Sequence, residues 1–144
     1  MRTLLLAALA VGFASSASAQ ATSADLDRAR SIVGCDVTAI EAGASASGSL
    51  SSSDCGYGDG SYADYYGLRL TETSFVTISQ SSDAFDSYLI LRDGDGEMLV
   101  SNDDSNGSLD SEVHQALMPG FYIVVVNSVY EAEEGDYTLE VRLD

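Results

Sequence analysis

"LRDGDGEMLVSNDDS", residues 91–105, alternates glycine and carboxylate between two apolar runs. A calcium loop would spend those carboxylates on a cation; a tight turn would use the same residues to reverse the chain between two strands. An EF-hand loop starting at Asp93 places Asp95 and Glu97 acceptably but needs glycine at its sixth position, where the sequence has Met98. That register would also pull Met98, Leu99 and Val100 out of an apolar run. The glycine-rich calcium repeat of β-helices requires several copies, and the sequence holds one. The stretch therefore reads as a hairpin turn, with Asp and Gly supplying the positive φ angles such turns need.

Outward from this turn the pattern repeats. Short runs rich in Tyr, Val, Ile, Thr and Leu alternate with Gly, Asp, Ser and Asn. Strands are predicted at 64–71, 74–80, 86–92, 97–102, 111–117, 121–128 and 136–143, with a weaker one at 46–51. In the last strand Tyr137, Leu139, Val141 and Leu143 should face a core while Thr138, Glu140 and Arg142 face water. "FYIVVVN", residues 121–127, is apolar on both faces and suits a central strand; the preceding Pro119-Gly120 suits a type II turn. About eight strands at this spacing predict an all-β chain folded as an antiparallel β-sandwich, jelly-roll-like.

The N-terminal part is different. "MRTLLLAALAVGFASSASAQ" has one Arg, an apolar run from Leu4 to Phe13 and Ala17-Ser18-Ala19 before Gln20, the layout of a secretory signal peptide over residues 1–19. The apolar run is too short to span a bilayer and no second one follows, so no membrane insertion is expected and the exported chain should be periplasmic or secreted. Residues 20–43 then form an N-terminal helix and a tethered segment, and 44–144 the sandwich domain. Within the helix, "TSADLDRARSIVG" offers Thr22 and Ser23 as caps, Leu26, Ala29, Ile32 and Val33 at helical spacing, and Gly34 as a stop. Cys35 and Cys55 are the two cysteines. In an oxidising compartment they pair, and closing a loop of about 20 residues is worth roughly 3 kcal/mol by chain entropy.

Six arginines, no lysine and 23 acids give a net charge of −17; loss of Arg2 with the leader leaves five against 23, or −18. Such a field repels phosphate backbones and anionic membranes, which excludes nucleic-acid binding, and it favours divalent cations or a cationic partner. The only histidine, His114 in "SEVHQAL", falls on the outward face of a strand, far in sequence from either cysteine, so no serine or cysteine nucleophile has a matched base and no enzyme is expected.

Taken in order, "SGSL" at Ser47, "ADYYGLRL" at Ala63, "VTISQSSDAFDSYLILRDGDGEMLVSNDDS" at Val76, "LDSEVHQAL" at Leu109, "PGFYIVVVNS" at Pro119 and "GDYTLEV" at Gly135 resemble the bacterial pre-peptidase C-terminal (PPC) domain family. The resemblance implies a jelly-roll-like sandwich of the kind usually attached behind a secreted peptidase. Some relatives bind collagen or polysaccharide, and some bind calcium through an acidic, Asn-containing linker, where this chain has "GCDVTAIEAG". The expected function is an exported, non-catalytic binding or accessory module that engages an extracytoplasmic protein or a polysaccharide and is calcium-stabilised. The alternative is a stand-alone chaperone or inhibitor acting in trans on a secreted peptidase.

Candidate metal-ligating residues follow from acidic turns. Asp54, Asp59 and Asp64 in "DCGYGDGSYADYY" lie at the entrance to the first strong strand, with Asp36 or Glu41 able to join them across the disulfide. Asp103 and Asp104 in "SNDDS" close a later strand, within reach of Asp86, although an Asx turn uses the same residues. Tyr57, Tyr62 and Tyr65 are candidate ligand-binding aromatics, since exposed rings on a sandwich stack on sugars or grip an extended polypeptide, while buried ones fill cores.

Overall fold

A computed structural model describes residues 18–104 and 108–144, so the expected leader lies outside it except for its last two positions. In chain order the elements are β1 (Ser18–Ala19), α1 (Ser23–Val33), β2 (Thr38–Ala39), β3 (Ser45–Leu50), β4 (Cys55–Gly56), β5 (Tyr62–Leu70), β6 (Ser74–Ser81), β7 (Ser87–Asp93), β8 (Met98–Asn102), β9 (Ser111–Leu117), β10 (Gly120–Ser128) and β11 (Gly135–Leu143). They form two sheets. The larger runs β1-β5-β10-β7-β8, with β2 and β4 also on β5; the smaller runs β3-β11-β6-β9.

The principal core lies between the sheets. Tyr66, Leu68, Leu89, Leu91, Val124 and Val126 of the larger sheet meet Leu50, Val76, Ile78, Val113, Leu139 and Val141 of the smaller one. A second, smaller core lies on the outer face of the larger sheet. There Ala29 of α1 and Val37 pack with Ala63, Tyr65, Ile90, Ile123 and Val125, flanked by Leu26, Val33, Tyr57 and the two cysteines. This explains why "FYIVVVN" is apolar on both faces: its strand is the central one, and each face has its own cover. The result is an all-β antiparallel sandwich preceded by a short helix.

The helix is built as its sequence requires. Thr22 caps it through a reciprocal box in which Asp25 N–H donates to Thr22 Oγ1 at 3.1 Å and Thr22 N–H donates to Asp25 Oδ2 at 2.9 Å. Gly34 ends it in the left-handed conformation. Asp25 also takes a two-pronged bond from Arg69 of β5, at 2.6 and 2.5 Å, which fastens the first turn to the sheet. The Arg69 guanidinium holds this carboxyl well below the usual carboxylate range. The Cys35–Cys55 disulfide fastens the other end, bridging the exit of the helix to β4.

The stretch at 91–105 is a hairpin between β7 and β8. Asp93 acts through its side chain as well as its backbone: Oδ1 accepts from the amides of Asp95 and Glu97 at 2.9 and 3.0 Å. Only Gly96 has positive φ, at 88°, so one glycine supplies what the sequence distributes over Asp and Gly, and a bulge between Leu91 and Arg92 absorbs the odd residue. Two other expectations are corrected. Gly120 is not the left-handed residue of a type II turn; it pairs with Leu70 as the first residue of β10, where the chain crosses from one sheet to the other. Leu143, expected in the core, is 38% exposed at the end of β11; Phe75 of β6, 50% exposed, lies on the outer face of the smaller sheet.

Replacing Cys35 and Cys55 with serine should lower unfolding stability by about 3 kcal/mol, read as the urea midpoint against the oxidised wild type. An unchanged midpoint would show that the tether does not constrain the unfolded chain.

Candidate functional site

The candidate acids separate into three places. At the mouth of a cleft of about 450 Å³ beside the disulfide, Asp54 and Asp64 come together, with Asp36, Thr38 and Tyr66 also on its wall. Asp64 is fixed from across the sandwich: Tyr137 of β11 donates its hydroxyl to Asp64 Oδ2 at 2.6 Å, and the Tyr66 hydroxyl lies 2.6 Å from that of Tyr137. Gly48 makes this possible, because any side chain there would collide with the Tyr137 ring. Burial, together with the neighbouring Asp54 carboxylate, pushes Asp64 up to about 6, against an opposing hydrogen bond from Tyr137. Asp54 is itself braced by the Ser51 amide at 2.7 Å.

Asp59 goes elsewhere. Its Oδ1 accepts from the backbone and hydroxyl of Ser61, which lowers its pKa and shapes the turn into β5. Asp36, a cleft-wall residue, is paired with Arg30 at 2.8 Å. The third place is the start of β7: burial, then Asp104 and Asp103, raise the pKa of Asp86, so the acids of "SNDDS" do approach it. Asn102 forms the Asx turn of this corner, its Oδ1 accepting from the Asp104 amide at 3.1 Å. Among the described residues no three His, Cys, Asp or Glu side chains converge as a metal would require. At the Asp54–Asp64 pair, most of the six to eight oxygens that calcium takes would come from water, hydroxyls and backbone carbonyls.

The tyrosines are built into the framework. Tyr65 is 8% exposed, packed in the helix-side core at the wall of the cleft beside the disulfide. Tyr57 accepts a hydrogen bond from Arg92 at 2.6 Å and packs on the same core; Tyr62 packs against the principal one.

A different region faces solvent. Among the described residues no helix lies over the outer surface of the smaller sheet. Period-two alternation places Ser45, Ser47 and Ser49 of β3, Thr138 and Glu140 of β11, Ser79 and Ser81 of β6, and Glu112 and His114 of β9 on that face. At one end it opens into a groove of about 1010 Å³ lined by Ser47, Ser49, Ser81, Asp83, Asp110, Asp136 and Thr138. Sequence reading missed this groove. Its one signal was the serine at every second position of "SASGSL". His114 lies on this face as expected, its Nδ1 2.9 Å from Thr77 Oγ1 and its Nε2 2.8 Å from Glu112 Oε1, with no serine hydroxyl bonded to it.

No protein-family model and no curated protein matches the sequence. Solved structures do match. The chain is similar to the pre-peptidase C-terminal domain of a collagenase from Bacillus anthracis, with TM-score 0.61 and 20% identity, over 74% of this chain and 95% of that one. It is also similar to PliG of Aeromonas hydrophila, a periplasmic inhibitor of g-type lysozyme, with TM-score 0.55 and 17% identity, over 75% and 96%. The fold is PPC-like, a β-sandwich.

Asp64 ties this geometry to pH. Its pKa is raised from an ordinary 3.8 to about 6, so its contribution to stability is fully present below pH 3.8 and is lost as pH rises through 6. Asp64→Asn keeps the Tyr137 bond without the charge. It should be stabilising by about 1–2 kcal/mol at pH 7.5, a figure reduced for partial solvent access, and neutral at pH 3.5. Equal effects at both pH values, by urea denaturation, would contradict the assignment.

Proposed function

We propose that this protein is an exported, non-catalytic binding module whose uncovered sheet face engages another extracytoplasmic polypeptide. The observation that carries the reading is the asymmetry of the sandwich: the outer face of the larger sheet is closed by α1 and the disulfide loop, while the smaller sheet presents an acidic, hydroxyl-rich surface and the groove at its end. A net charge of −17 favours a basic partner. The pairing of Cys35 with Cys55 fits an oxidising compartment, and no helix among the described residues is long and apolar enough to cross a membrane. The hydroxyl that meets His114 belongs to Thr77, which is buried and also donates to Asp144 Oδ2, so a substrate does not reach it; this supports binding over catalysis.

A second reading is an inhibitor or chaperone acting in trans on a secreted hydrolase. Its support is the likeness in fold to a lysozyme inhibitor and to a domain of a collagenase. Full peptidase or lysozyme rates in the presence of stoichiometric protein would count against it. In both readings calcium would be an accessory held by Asp54 and Asp64, whose repulsion it would relieve, with the weak affinity of extracellular modules.

Two measurements test this. Affinity capture from the extracytoplasmic fraction, with and without calcium, should recover a basic protein that Thr138→Arg on the open face recovers at least about ten-fold less well; equal recovery by both, or none by either, contradicts the reading. Calorimetric titration should give a calcium dissociation constant of roughly 0.1–1 mM that Asp64→Asn weakens. Absence of heat at the upper end of that range removes calcium from the account.

A further inference from the structure

We propose that β3 is a docking edge that takes up an extended, basic segment of the partner as a fifth strand of the smaller sheet. This rests on the reading above that the uncovered side of the sandwich binds a polypeptide, and it adds the mode and the chemical class.

The argument starts from the phase of the ladder. Val141 N–H donates to Ala44 at 3.0 Å, so the rungs Ala46–Leu139, Gly48–Tyr137 and Leu50–Gly135 are the ones hydrogen-bonded to β11. By the alternation of antiparallel pairing, Ser45, Ser47 and Ser49 turn their N–H and C=O groups the other way, toward solvent. The row ends there: Ser51 donates to Asp54 Oδ2 and accepts from the Asp54 amide. Three donors and three acceptors thus stand in line over about 14 Å, enough for a short added strand.

The other lateral edges are occupied, bulged or, on β9, closed at one end and lined by Glu112 and His114. Along β5 the free edge is covered in series by β1 at Leu70, β2 at Tyr66 and β4 at Ala63. On β9 the Glu112 carbonyl accepts from Asn102 Nδ2 at 2.8 Å and the nearby Leu109 carbonyl from the Ser87 amide at 2.9 Å. β8 is five residues long and its pairing is bulged. β3 has none of the devices that protect an edge. It contains no charge and no proline, and its Ser, Ala and Gly side chains leave the backbone accessible.

Charge selects the occupant. Arg28, Arg30 and Arg69 are paired with acids on the helix side, Arg92 lies over Tyr57, and Arg142 of β11 reaches Glu140 at 3.8 Å on the open face. Beside β3 stand Asp136 opposite Ser49 and Glu140 opposite Ser45, with Asp83 and Asp110 in the adjoining groove. A second copy of this chain would bring −17 against −17. An extended segment with basic residues at alternate positions sets its backbone on the ladder and its cations over Asp136 and the groove acids Asp83 and Asp110.

Amide exchange by NMR on the 15N-labelled protein, with a short peptide alternating lysine and threonine as probe, tests this. At saturation the amides of Ser45, Ser47 and Ser49 should slow about ten-fold or more, while those of Ala46, Gly48 and Leu50, already bonded to β11, stay unchanged. Ser47→Pro removes the central outward N–H without touching the β11 ladder; it should keep the wild-type thermal midpoint and bind the peptide about ten-fold more weakly. Should that variant fail to fold, Ser47→Lys, which sets a cation against the incoming ones, should show the same loss. Unchanged exchange at the three serines, or undiminished binding by both variants, overturns strand addition. Capture of a basic protein by the wild type under those results would leave the proposed function in place.

Discussion

Ile123 and Val125 lie on one face of β10 and Val124 and Val126 on the other, and all four are completely buried. A strand of this kind has to be covered twice, and the rest of the molecule follows from that requirement. The smaller sheet covers one face; the other would leave Tyr65, Ile90, Ile123 and Val125 in water, at a cost of about 1.5–3 kcal/mol for each large side chain. A helix carrying Leu26, Ala29 and Val33 on one side closes it. Three devices hold that helix in place: the Thr22–Asp25 box and the Asp25–Arg69 pair, which share one carboxylate, and the Cys35–Cys55 bridge.

The smaller sheet lives under the opposite constraint. Its strands alternate, Leu139 and Val141 inward and Thr138 and Glu140 outward, so it is stable with water on its outer side and has no need of a cover. Most of the arginines are drawn to the helix side, where they neutralise acids that would otherwise repel one another. What remains on the open side, apart from Arg142 and Phe75, is acidic and rich in hydroxyls. The division of labour between a covered and an uncovered sheet is thus a consequence of packing first and of function second.

How much of this was legible depended on range in the sequence. The eight longer strands and the helix are set by local periodicity and local caps, and they fall within two residues of where the pattern places them. The two-residue strands β1, β2 and β4 have no period of their own; they exist because the edge of β5 offers partners. The approach of Asp86 to Asp103 and Asp104 was readable, since both lie at the ends of one hairpin. The bond from Tyr137 to Asp64 spans 73 positions and depends on the bare backbone of Gly48, which no spacing rule anticipates. Tyr65 was a candidate as a strand aromatic, and period two alone does not say that a helix will lie on its side of the sheet. The groove is assembled from β3, β6, β11 and two loops, none of which marks a site alone.

Double burial of the central strand is most directly measured by methyl NOESY on Ile123, Val124 and Val125. The account predicts cross-peaks from the methyls of Ile123 and Val125 to Ala29 and Leu26 of the helix, and from Val124 to Leu139 and Val141 of the opposite sheet. Methyls of Val125 that show no helix contact and broaden on addition of a soluble paramagnetic probe would contradict it.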